Sequence, residues 1–80
     1  MPLPEPVMQF LNENAESNGS PPPADGDDLF KAGALDSFTL VEFIALLEQH
    51  CGISVPDADV NQTNFQTIAA IERYVAAHRS

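Results

Sequence analysis

Prolines mark where this chain cannot be regular. The seven fall in three places, at Pro2, Pro4 and Pro6, in the run Pro21–Pro23, and at Pro56. Proline lacks a backbone N–H and fixes φ, so helices start at or after such points and do not run through them. The stretches between them carry apolar residues at helical spacing. Leu3, Val7, Phe10 and Leu11 lie within about 100° on a wheel turning ~100° per residue, which predicts a first helix over roughly residues 5–16. A second helix reads from about Ser37 to His50 and stops at Gly52, a natural left-handed cap. Ile53 to Val55 reads as a short buried extended piece before Pro56, and Asp57 to Gln62 as a brief third helix. Residues 66–78 form a fourth, with Ile68, Ile71 and Val75 facing inward. No window alternates long enough for a sheet and no internal repeat is present, so the fold class is all-α: a bundle of three main helices plus one short one.

Residues 17–36 interrupt this pattern with Asn, Gly, Ser, Pro and Asp, which predicts a long loop. Leu29 and Phe30 are its apolar exceptions and read as anchors onto the bundle, while Gly33 permits a turn. Eighty residues make one domain, 1–80, with a single small core and no room for a cleft between domains. The lone Cys51 excludes an intrachain disulfide. Met1 to Pro6 lacks a basic segment followed by an apolar run, so a cytoplasmic address is expected, without membrane insertion. The sequons at Asn18 and Asn61 are then chance matches.

Twelve acids against three bases give a formal charge of −9, which argues against nucleic acid as a partner, since phosphate binding needs a basic patch. Such a surface instead attracts basic protein partners over about a Debye length.

The second helix carries two stripes. With Phe38 at 0°, Leu40, Phe43, Ile44, Leu47 and Cys51 fall between about 140° and 240°, the core side. Phe38, Val41, Glu42, Ala45, Glu48 and Gln49 fall between about 280° and 40°. A helix that only covered a core would be polar there. Apolar residues mixed with carboxylates suit a transient docking surface. Ser37 stands at the end of this face beside Asp36, and Asp and Ser are also ordinary helix starters.

No enzyme is evident. There is no G-x-S-x-G elbow, His50 at the far end of the second helix and His78 on the last helix form no triad with Ser37, and His50, Cys51 and His78 fit no zinc spacing. Asp25, Asp27 and Asp28 lack the order of a calcium loop, so no metal site is expected.

Gly33, Ala34, Leu35, Asp36, Ser37 and Phe38, then Val41, Glu42, Phe43 and Ile44, then Ile53, Ser54, Val55, Pro56 and Asp57 resemble the acyl carrier protein family. The likeness runs from the first helix to Asn64, Phe65 and the last helix. Leu35 before Asp36, Phe38 after Ser37, and Thr39 and Gln49 in place of acids are closer to specialised stand-alone carriers, including D-alanyl and peptidyl carriers, than to those of fatty acid synthesis. The resemblance implies an acyl-carrier-protein-like four-helix bundle that is not itself an enzyme. It implies that Ser37 receives 4′-phosphopantetheine from coenzyme A through a phosphopantetheinyl transferase. An acyl or aminoacyl group is then carried as a thioester, in a pathway of fatty acid, polyketide or nonribosomal peptide type. Asp36 would cap the helix or contact the transferase and its metal ion. Phe38, Val41, Glu42, Ala45 and Glu48 would meet an adenylating or acyl-loading ligase and downstream transferase or synthase enzymes, with the carrier a monomer. The rival is an acidic helical module that docks non-covalently and bears no prosthetic group.

Overall fold

The computed structural model of the chain describes residues 3–78, so Pro2 at the start of the first helix and the basic Arg79 lie outside the described residues. Helix α1 spans Glu5–Ser17, α2 Thr39–Cys51, α3 Gln62–Phe65 and α4 Ile68–His78, with a 3₁₀ turn at Asp57–Asp59 before α3. No strand occurs among the described residues.

Each helix buries one stripe. Val7, Leu11 and Ala15 of α1 meet Leu40, Phe43, Ile44 and Leu47 of α2, and Ile68, Ile71, Tyr74 and Val75 of α4 close the core. An aromatic row runs through it, from Phe10 to Phe43 (5.9 Å between centroids), to Phe65 (6.5 Å) and on to Tyr74 (5.2 Å). Such offset and edge contacts add to the area each ring removes from water. Ile53 and Val55 are buried, as an extended piece leading to Pro56 requires, and Gly52 ends α2 at φ 67°.

Three expectations shift. First, regular α2 starts at Thr39, after a turn in which the side chain of Asp36, and not that of Ser37, accepts the Phe38 and Thr39 amides. Second, the brief helix expected from Asp57 to Gln62 is a single 3₁₀ turn. The helical turn falls later, where the Asn61 side chain accepts from the Asn64 N–H at 3.0 Å and caps Gln62–Phe65. Third, α4 begins at Ile68, with Thr67 Oγ1 accepting from Ala70 N at 3.0 Å. Cys51, read as part of the core stripe, is only half-buried at the end of α2.

The long loop is pinned to the bundle. Leu29 is fully buried and Phe30 half-buried. Leu29 N donates to Gln66 O at 2.7 Å, Ala69 N to Asp25 O at 3.1 Å, and Gln66 Nε2 to the Asp28 carboxylate at 2.9 Å. The loop therefore takes up polar groups at the start of α4 while Leu29 and Leu35 fill the core.

Candidate functional site: the turn before the second helix

The chain enters α2 through a reciprocal cap. Asp36 Oδ1 accepts from Phe38 N and Thr39 N, both at 2.8 Å, while Thr39 Oγ1 accepts from Asp36 N at 2.9 Å. The bond from Leu40 N to Asp36 O, 2.9 Å, closes a turn that holds Ser37 and Phe38 and leads into the regular helix at Thr39. This is a capping box with Thr in the place Glu or Gln usually takes. The donated N–H groups of Thr39 and Phe38 hold the Asp36 carboxyl below the ordinary carboxylate range.

Ser37 is left exposed, and no hydrogen bond among the described residues engages its hydroxyl. A cap supplied by the neighbour thus frees the serine for other use. Its Oγ sits at the positive end of a helix of 13 residues, where a negatively charged substituent is favoured.

The outer face of α2 follows the sequence reading. Phe38 is 83% exposed and Val41 65%, while Glu42 and Ala45 are exposed beside them. Solvent exposure of two large apolar side chains next to the free serine is the least core-like feature of the helix. Glu48 has a task that the sequence did not reveal: its Oε2 accepts from Val55 N at 2.8 Å and ties the extended piece to α2. Between α2 and that piece lies a groove of about 470 Å³ lined by Val41, Ile44, Ala45, Glu48, Val55, Asp57 and Val60. It opens on the same side as Phe38's neighbours Val41 and Ala45.

The other candidates do not assemble. No group of three or more His, Cys, Asp or Glu that could hold a metal ion exists among the described residues. His78 stacks on Tyr74 (3.9 Å) with its Nδ1 against Tyr74 O, far along the chain from the serine turn. No described helix is long and apolar enough to cross a membrane.

Thr39, Asn14 and Asn18 were missed as parts of this site. Thr39 is legible as the third residue after Asp36, the capping-box spacing. The asparagines, which hold the turn from α1, leave no local signal.

A comparison with solved structures found no match. The family model described as "PP-binding: Phosphopantetheine attachment site" matches residues 9–75. This stretch runs from within α1 to within α4 and includes the turn and groove just described. Its members carry covalently bound 4′-phosphopantetheine and are met by modifying and biosynthetic enzymes. The chain belongs to the phosphopantetheine-attachment carrier family.

Proposed function

We propose that the protein is an acyl carrier, not itself catalytic, in which Ser37 is the attachment residue for 4′-phosphopantetheine. The observation that carries this reading is the unengaged, exposed Ser37 hydroxyl at an N-terminus whose capping is done by Asp36 and Thr39. The residues present fit the group. A phosphodiester on Ser37 Oγ would stand at the positive end of α2, with no capping bond lost on modification. When bound, the group supplies a thiol that holds an acyl or aminoacyl chain as a thioester.

This chain's own residues do the rest. Asp36 and Thr39 fix the turn, and Phe38, Val41, Glu42 and Ala45 offer the face by which a phosphopantetheinyl transferase, a loading ligase and downstream synthases grip the carrier. The acidic edge favours partners with Arg and Lys at the contact. The groove beside Val41 and Ile44 can shelter the first apolar part of a cargo between transfers.

Incubating the protein with coenzyme A and a broad-specificity transferase, then weighing it, tests the assignment. A phosphopantetheine increment that is absent in Ser37→Ala supports it. An unchanged mass, under conditions that modify a control carrier, leaves the non-covalent acidic module as the better reading.

A further inference from the structure

We infer that Asn14 and Asn18, at the far end of α1, are positioning residues for modification at Ser37. The inference rests on the reading of Ser37 as the attachment residue and adds a second element to its presentation. Asn14 Nδ2 donates to Ala34 O at 3.1 Å, and Asn18 Nδ2 donates both to Gly33 O at 3.0 Å and to Asn14 O at 2.9 Å. The two carboxamides thus form a ladder along the last turn of α1 whose outer rungs grip consecutive carbonyls of the segment leading to the serine.

The fit is close. Gly33 sits at φ 79°, and a Cβ there would lie 2.7 Å from Asn18 Cβ and 2.9 Å from Asn18 Cγ. A side chain at position 33 would therefore meet both backbone strain and a clash with the clamp itself. The opposite edge of the segment is held as well, with Ala34 N and Leu35 N both donating to Leu29 O at 2.9 and 3.2 Å. Ala34 and Leu35 are buried to 0% and 1% exposure. The next residue, Asp36, is locked to Thr39.

The carbonyls of Gly33, Ala34 and Asp36, the amides of residues 33–36 and the side chains of Ala34, Leu35 and Asp36 are thus committed, and the Ser37 side chain that follows is not. The capping box orients Ser37 relative to α2. The asparagine clamp orients that whole turn relative to α1. Transfer onto a hydroxyl depends on placing its oxygen within a narrow range of the incoming phosphorus, and small misplacements are costly in rate. Loss of the clamp should therefore act on the chemical step more than on docking, because Asn14 in α1 and Asn18 at its C-cap lie off the outer face of α2.

The test uses the full chain with Asn14→Asp and Asn18→Asp, alone and together. Each keeps the shape of the side chain but replaces the donor by a carboxylate facing a carbonyl oxygen. Transferase loading from coenzyme A is measured alongside amide exchange and thermal melting. In the double variant kcat should fall about tenfold with KM within about twofold of the parent, and the Phe38 and Thr39 amides should exchange faster. Asn14→Gln, which keeps the donor, should recover much of the rate. Asn61→Ala, which removes the cap of α3, controls for stability: it lowers the melting temperature without lowering kcat. The inference is overturned if the double variant loads at the parent rate, or loses no more than Asn61→Ala does at equal loss of melting temperature. If the double variant does not fold, the single Asn14→Asp decides by the same criteria. A parent protein that refuses loading while a control carrier accepts it sinks the Ser37 reading, and this inference with it.

Discussion

Asp36 settles what its neighbour is free to do. Its carboxylate accepts the Phe38 and Thr39 amides, so the hydroxyl of Ser37 is not drawn into the cap that a serine in this setting commonly supplies. The same bonds make the cap sensitive to acid in a definite direction. A carboxyl whose native pKa is depressed contributes its stability above the ordinary value of 3.8 and loses it as pH falls through the lower native value. The Asp36 carboxyl is therefore expected to titrate below 3.8, with the Phe38 and Thr39 amide signals constant from neutrality down to that region. A midpoint at or above 3.8, followed by NMR of the side-chain carboxyl, would contradict the cap geometry. Asp36→Ala should lower the melting temperature and expose both amides to exchange. The Asp-Ser pair was legible in the sequence because a cap is local, and residue 36 could be read as one from its neighbours. The contacts of Asn14 and Asn18 were not, since they join carbonyls 15 and 20 positions away and any polar residue satisfies a helix end seen in one dimension.

Helix α2 has two unlike faces, and its acids do not share one task. The stripe of Leu40, Phe43, Ile44 and Leu47 was legible from its period alone, because burial repeats every three or four residues. The break between the 3₁₀ turn and α3 was not. In segments of three or four residues the choice of turn rests on one cap, here Asn61, and on Val60 at φ −79°, ψ 84°, which carries no periodic signal. Glu48 illustrates the limit as well: its position on the wheel pointed to solvent and partners, whereas its carboxylate also accepts the Val55 amide across the groove. Glu48→Ala leaves that part-buried N–H without its acceptor and should destabilise the fold by about 1–2 kcal/mol. Glu42→Ala, on the exposed face, should stay within about 0.5 kcal/mol of the parent. Urea unfolding of the two variants separates the roles, and equal losses would mean that the Glu48 bond adds nothing to the fold. Glu48→Gln keeps an acceptor and should lie between them.

At the scale of the whole molecule, Tyr74 ties α4 to the 3₁₀ turn and α3, and the field is set by the acids. Tyr74 is buried against Phe65 and donates its hydroxyl to Asp59 at 2.7 Å. Burial first, then the Asp59 carboxylate, push its pKa up to about 12. A group whose native pKa is raised keeps its contribution below the ordinary value of 10.0 and loses it as pH climbs toward 12. The chain has one tyrosine and no tryptophan, so tyrosinate absorbance reads this site alone; a midpoint near 12 is expected in the native protein, and one near 10 would mean that the contact is open in solution. The net charge of −9 acts over longer distances. A partner presenting Arg and Lys is drawn in over a Debye length of ~10 Å at 0.1 M salt, shrinking to ~3 Å at 1 M. Association, not the chemical step, should carry this dependence. The loading rate by a transferase is thus expected to fall as salt rises under kcat/KM conditions, while kcat at saturation changes little. Glu42→Lys should slow association at low salt, and the difference from the parent should close at high salt, with helical content retained. Adding Glu48→Lys should slow it further but also weaken the hold on Val55, so Glu42→Lys is the cleaner probe of steering. A kcat/KM indifferent both to salt and to Glu42→Lys would show that partners find Ser37 without help from the acidic face, leaving Phe38 and Val41 to do the recognising alone.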